Sequence, residues 1–321
     1  MTRQNGDRST NHRAHQALVY ASDEEFLDYA VPFVNSGLAA GDRVLVVTDR
    51  RNLDLLEAHT PTTRQPSLDM HDSATWYSTP ARTLTAFDDY VQGHERAERK
   101  VSILGESVRG EGVLLERAWQ RYESLLNLTF EDRRVTLACP YRSELLTARQ
   151  THELDHTHHD TTITGHRHVS TTFEETADFI TRCDSVPLMR PEPNRVQQTD
   201  FALATLGEIR AMVARMAATA GVGQHQIPDL VVAVSEVTSN AVRHGGGRGR
   251  LRTWHEPDFV VFEVDDDGTH EPAALAGHVR PDPRHLHAGG MGLWMARQLS
   301  DMLEVRHGPG WVVRIYAQTA G

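Results

Sequence analysis

Apolar residues fall along this chain in two rhythms. From His15 to about residue 142, short continuous apolar runs (QALVYAS, RVLVVTD, KVSILGE, RVTLACPY) alternate with longer stretches in which apolar residues recur every three or four positions. Continuous runs of this length predict buried strands of a parallel sheet. The longer stretches, DEEFLDYAVPFVNSGLAA from near Asp23, RNLDLLEAH and GVLLERAWQRYESLLNL, predict amphipathic helices. Strands alternating with helices predict an α/β unit with a mainly parallel sheet over residues 15–186. Residues 1–14 are polar and read as a disordered tail. VPLMRPEPNRVQQ, with three prolines and few core residues, reads as a linker over 187–199.

The second rhythm covers 200–321. It predicts a helix over about 200–220, a helix over about 228–244, strands at GRLRTWHE and DFVVFEVDDD, and a loop rich in Gly, Pro and His. A helix from about Met291 and strands at MLEVRHG and WVVRIYA complete an α+β sandwich. LVVAVSEV alone has strand propensity. Length, Pro228 near the start and Asp229 in the first turn favour a helix. On that helix Glu236, Asn240 and His244 stand four apart, a polar stripe on an otherwise apolar rod. Such a stripe faces water or a pocket.

The 321 residues suffice for two domains with their own cores, and 39% hydrophobic with 24% charged residues is an ordinary globular balance. A net charge of -11 argues against nucleic acid as the main partner. The sequence has no apolar run long enough to span a bilayer, and MTRQNGDRSTNHRAH is too polar for a signal peptide, so a cytoplasmic protein without a membrane partner is expected. Cys139 and Cys183 give no disulfide framework. Lys100 is the single lysine and follows no glycine-rich loop, so a phosphate-cradling P-loop is absent.

Three stretches carry chemistry: SEVTSNAVRHGG, VDDDGTHEP and GGMGLWMARQLSD. A carboxylate followed four residues on by an amide suits a general base beside a metal ligand. An Asp after a strand, with Gly268 beyond it, can accept from the polar edge of a buried ligand. Gly290-x-Gly292 opening a helix lets backbone N–H groups reach phosphate oxygens. Taken singly, each has an ordinary reading as a solvated face, an acidic turn or a weak glycine pair. In this order they suit a nucleotide.

Together they resemble the Bergerat-fold ATPases, the gyrase, Hsp90, histidine-kinase and MutL group, and most of all the anti-sigma-factor serine kinases of the RsbW and SpoIIAB type. The resemblance implies a Bergerat sandwich that binds ATP and Mg²⁺. It implies Glu236 as general base, Asn240 as the magnesium ligand, and Asp266 with Gly268 at the adenine amino group. Gly290 and Gly292 match the glycines flanking an ATP lid over about 269–289, and His244 and Leu293 stand at the edge of the same boxes. A STAS-domain anti-anti-sigma protein as substrate, a sigma factor as captive, and homodimerisation follow from the same family. His270 stands where the pattern has its second glycine, and Trp311 and Val312 stand near where many relatives carry a phosphate-contacting Thr. These departures weigh toward ATP binding over efficient turnover. A histidine-kinase sensor and a non-catalytic ATP-dependent binding module remain as alternatives. Residues 200–220 contain no His to accept a phosphoryl group.

Residues 15–186 resemble the MEDS sensory domain on the strength of HQALVYASDEEFLDYAVPFVNSGLAAGDRVLVVTD, VSILGE and ACPY. That resemblance implies a RecA/KaiC-like sheet without a P-loop, and a small ligand or signal sensed rather than transformed. Cys139 and Tyr141 could line such a site, although a small buried residue at a strand end is the simpler reading of Cys139. THELDHTHHD has the zincin spacing at His152, Glu153 and His156, with Glu175 downstream. Its polar, Thr-rich surroundings through HTHHDTTITGHRHVSTT predict a solvated segment instead.

Overall fold

The structure is a computed structural model, and it describes residues 15–60, 66–95, 97, 99–106, 112–268, 274–281, 290–307 and 310–319. The tail expected over 1–14 lies outside the described residues. The described residues fall into two compact units, one within Met1–Ser78, Leu84–Arg109 and Glu123–Glu174, the other within Thr79–Thr83, Gly110–Tyr122 and Glu175–Gly321.

The first unit is built on seven strands, β1 (His15–Tyr20), β2 (Arg43–Thr48), β3 (Leu68–Asp72), β4 (Val101–Gly105), β5 (Val135–Arg142), β6 (Asp160–Ile163) and β7 (His166–Val169). Their order is β3-β2-β4-β5-β1-β6-β7. Neighbours are parallel throughout except β6 and β7. The helices of this unit are α1 (Asp23–Ala39), α2 (Arg50–His59), α3 (Ser73–Trp76), most of α4 (Pro80–Glu95), the end of α5 (Val113–Thr129) and α6 (Ala148–Thr157), and α7 (Thr176–Asp184) belongs to the second unit. The apolar runs at β2 and β4 are buried nearly end to end, as a strand covered on both faces must be.

α1 starts where the sequence places it. The Ser22 hydroxyl accepts from the Glu25 N–H, and Glu25 accepts in return from the Ala21 N–H. Asp23, Glu24 and Glu25 put negative charge at the positive end of the helix dipole. Its buried positions, Phe26, Ala30, Val34 and Gly37, make one stripe against the sheet. Gly37 marks the closest approach: a Cβ there would lie 2.9 Å from Val44 Cγ2 and 3.2 Å from Ser102 Cβ.

Three strands were not anticipated, β3, β6 and β7. The His-rich stretch expected to be solvated is corrected here. β6 pairs with β1 on one side and β7 on the other, so Thr157, His158, Asp160 and Thr161 are buried and only β7 is an exposed edge. A polar strand survives inside a sheet because its backbone is paired and its side chains find partners. Arg167 pairs with Asp160 at 2.7 Å, and the Thr161 hydroxyl donates to Asp155 at 2.9 Å.

The second unit carries β8 (Gln197–Ala202), α8 (Leu206–Ala220), α9 (Ile227–His244), β9 (Arg248–His255), β10 (Phe259–Asp266), α10 (Met291–Gln298), β11 (Met302–His307) and β12 (Trp311–Gln318). The five strands are antiparallel in the order β11-β12-β10-β9-β8. Residues 197–202, read from sequence as the end of a linker and the start of a helix, are instead an edge strand. Only Phe201 of β8 is buried, so the segment lacks the alternation that would have revealed it. The core lies between one sheet face (Leu251, Val260, Phe262, Val264, Val313, Ile315) and the apolar faces of α8 and α9. No helix among the described residues is long and apolar enough to cross a membrane.

Gly37→Ala is expected to lower stability by about 1–3 kcal/mol through overpacking, although Ala favours helix by about 1 kcal/mol over Gly. Denaturant unfolding, read as a lower midpoint at unchanged slope, checks it.

Candidate functional site

The site grows out of α9. Leu230, Ala233, Val234, Val237, Thr238 and Ala241 are its buried stripe. Glu236 and Asn240 flank that stripe and are half-buried, whereas His244 is exposed. The helix closes at Gly245, whose N–H donates to the Ala241 carbonyl at 2.7 Å. Gly246 and Gly247 follow at φ 90° and 86°, left-handed conformations that favour glycine.

β10 delivers the second component. Val260, Phe262 and Val264 alternate onto the face that α8 and α9 cover, so Asp266, next in the period of two, emerges on that face at the end of α9. An ideal Cβ on Gly245 would collide with the Asp266 carboxyl carbon and sit 2.5 Å from the Ala241 carbonyl oxygen. Gly268 donates its N–H to Asp266 Oδ1 at 2.8 Å, and a Cβ there would meet Gly245 Cα at 2.9 Å and the His244 carbonyl at 3.0 Å. Burial raises the Asp266 carboxyl above its ordinary value, partly offset by the N–H groups of Gly268 and Trp311. Trp311 stands opposite Asp266 on β12, and Val312 opposite Asp265.

The third component is the start of α10. Gly290 caps it in a left-handed conformation, φ 90°, and supplies no side chain to its first N–H groups. Gly292 lies against α9: an ideal Cβ would be 2.8 Å from Glu236 Oε2 and 3.1 Å from Asn240 Nδ2. Two clusters result, one of Glu236, Asn240 and Gly292, the other of Gly245, Asp266, Gly268 and the His244 carbonyl. The Leu293 side chain lies in the core, where a Cβ on Gly277 (φ 73°) would fall 2.6 Å from its Cγ. Neither it nor the exposed His244 ring joins a cluster through its side chain. His270 and residues 269–273 and 282–289 of the expected lid lie outside the described residues.

Gly245 was missed by sequence reasoning, although the glycine triplet after α9 was its signal. In the first unit, Cys139 is buried, and His15 Nε2 lies 3.2 Å from its sulfur. Tyr141 stands edge-on to His158 at 5.8 Å between ring centroids. His158 and His15 went unnoticed in sequence. Burial, with His15 alongside, takes the His158 imidazole down to about 3, so it is neutral. Of the zincin-like set, His152 and His156 share a face of α6 with rings 4.8 Å apart. His156 pairs with Glu174 at 2.7 Å, and Glu175 is the exposed N-cap of α7.

Residues 14–159 match the MEDS domain (methanogen/methylotroph, DcmR sensory domain), and residues 199–316 match the histidine kinase-like ATPase domain. Among solved structures, the chain is similar to the RsbU and RsbW domains of Rv1364c from Mycobacterium tuberculosis, at 21% identity over 40% of this chain and 32% of that one, with a TM-score of 0.28. It is also similar to the histidine kinase domain of the E. coli osmosensor EnvZ, at 22% identity over 42% of this chain and 94% of that one, with a TM-score of 0.24. The match thus spans about a third of the first of these structures. No curated protein matches the chain.

Two stability tests follow from the glycine contacts and the raised carboxyl. Gly245→Ala should lower the thermal midpoint by several degrees, because backbone blocks its Cβ, whereas Gly292→Ala should leave it nearly unchanged, because its Cβ meets only movable side-chain ends. Asp266→Asn should raise the midpoint at neutral pH. A carboxyl raised in the fold destabilises it where it is charged, so the gain should vanish below the ordinary carboxylate range, where both states are protonated.

Proposed function

We propose that this chain, a MEDS domain joined to a histidine kinase-like ATPase domain, is an ATP-binding switch protein that acts as an anti-sigma-factor serine/threonine kinase. The observation that carries this reading is the close approach of Gly292 to the Glu236 carboxylate and the Asn240 amide, with the Asp266–Gly268 turn against the C-terminal end of the same helix.

In this reading the N–H groups at the start of α10, with Gly290 leading them, would hold the negative charge of the phosphates. Asn240 offers its amide oxygen to Mg²⁺. Asp266, one oxygen oriented by the Gly268 N–H, accepts from the adenine amino group. Mg·ATP, when bound, supplies the phosphoryl group and the countercharge. Glu236, beside Asn240, takes the proton from a Ser or Thr hydroxyl of the partner. His244 and Leu293 contribute position, the first through its carbonyl beside Gly268, the second by anchoring α10.

The substrate is a STAS-domain anti-anti-sigma protein and the captive a sigma factor. The MEDS domain, over 15–186, responds to a small ligand and biases the ATPase domain over 200–321, which acts as a homodimer. Three residue-level features support a protein substrate over autophosphorylation: a carboxylate poised as base, a half-buried site, and an α8 without histidine.

Asn240→Ala is expected to abolish Mg·ATP binding by calorimetry. Glu236→Ala should keep that binding and lower phosphotransfer by about 10²–10⁴-fold. With γ-labelled ATP and candidate STAS proteins, acid-stable label on the STAS protein is expected. Acid-labile label on the chain itself would replace this reading with a histidine kinase, and ATP binding without any label would replace it with a non-catalytic binder.

A further inference from the structure

Four side chains that the ATPase reading does not use converge in the first unit. His15 opens β1, Glu123 lies in α5, Cys139 in β5, and His158 directly precedes β6. All four are buried, and one ligand-capable atom from each lies within 4.8 Å of the others. His15 Nε2 is 3.2 Å from Cys139 Sγ and 3.6 Å from Glu123 Oε2, and His158 Nε2 is 3.7 Å from the same Oε2.

The protons on both imidazoles are fixed from outside the cluster. His15 Nδ1 lies 3.1 Å from Asn127 Oδ1. The Asn127 amide nitrogen donates to the Thr157 carbonyl at 2.7 Å, which turns its oxygen toward the ring. Nδ1 of His15 is therefore the donor, and Nε2 carries the lone pair. His158 Nδ1 lies 3.0 Å from the Thr157 hydroxyl and 3.1 Å from the Leu154 carbonyl; the carbonyl accepts only, so Nδ1 is the donor and Nε2 also carries a lone pair. That Nε2 takes no hydrogen bond among the described residues. Two imidazole lone pairs thus face the Glu123 carboxyl and the Cys139 thiol. A core held by hydrogen bonds alone would set donors against acceptors. This one turns both imidazole lone pairs toward the same carboxyl oxygen, as ligands around a cation are turned toward one point.

We propose that His15, Glu123, Cys139 and His158 form a closed four-ligand site for a zinc-type divalent cation. Bonds of about 2.0–2.3 Å to a tetrahedral zinc set ligand–ligand edges of roughly 3.3–3.8 Å, close to the contacts of 3.2, 3.6 and 3.7 Å, with no pair beyond 4.8 Å. A sulfur ligand disfavours magnesium and calcium. Carboxylate and thiolate together balance the double charge. Binding forms four metal–ligand bonds and releases the Cys139 thiol proton to solvent. Asn127 and the Leu154 carbonyl orient the rings as outer partners of metal-bound histidines do. With four protein ligands and no open position, the role is structural: the ion ties β1, α5, β5 and the approach to β6 together.

The test is titration of the full-length chain with Zn²⁺ and Co²⁺. One tight equivalent is expected, and the Co²⁺ form should show tetrahedral ligand-field bands with a thiolate charge-transfer band. Cys139 and Cys183 are the only thiols, so the band should survive Cys183→Ser and disappear in Cys139→Ser. Asn127→Ala, which leaves all four ligands in place, should weaken affinity by about 10–100-fold. Replacing the histidines outside the cluster, His152, His156, His166 and His168, together by Ala should leave it unchanged. The site is overturned if the wild-type chain binds neither ion tightly. It is overturned equally if its Co²⁺ spectrum lacks the thiolate band, or if binding follows those four histidines instead. The wild-type and Cys183→Ser spectra decide the matter even where a ligand variant fails to fold.

Discussion

The seam between the end of α9 and the end of β10 governs the second unit. Gly245 lies so close to Asp266 that no other residue fits, and Gly268 closes the same seam from the other side. The contact holds the buried sheet face and the apolar stripe of α9 in one register. That register puts Asp266 at one end of the helix while Glu236 and Asn240, further back, meet Gly292. The same spacing that packs Val237 and Ala241 into the core therefore fixes the separation of the two polar clusters.

Glycine does in this unit what polar pairing does in the first. There β6 and the residues before it bury His158, Asp160 and Thr161 beside the aliphatic strands, and each of those contacts has to be matched by chemistry as well as shape. The two solutions differ in tolerance. A glycine seam fails through sterics at a single position, whereas a polar cluster fails when any of its partners is lost.

Much of this was legible in the sequence, for identifiable reasons. Continuous apolar runs announced β2, β4 and β5, and the four-residue spacing of Glu236, Asn240 and His244 placed them along one side of α9. Other features depend on strand order, which local pattern does not encode. His158 is buried because β6 sits between β1 and β7, and nothing in HTHHDTTI carries that information. β8 escaped notice because five of its six residues are exposed. Leu293 stands beside the glycines in sequence but turns into the core, since the helical period separates neighbours by about 100°.

The strand order also has a consequence for how the chain is made. β1 emerges first, yet its partners are β5 and β6, and His15 meets Cys139 across 124 positions. On the ribosome this apolar strand has no neighbour until residues beyond 135 have been synthesised, while β2, β3 and β4 can pair earlier. Loop-closure entropy makes such distant pairing slow, and an unpaired apolar edge is prone to wrong partners in the meantime. The first strand of the sheet is thus the one whose insertion completes it.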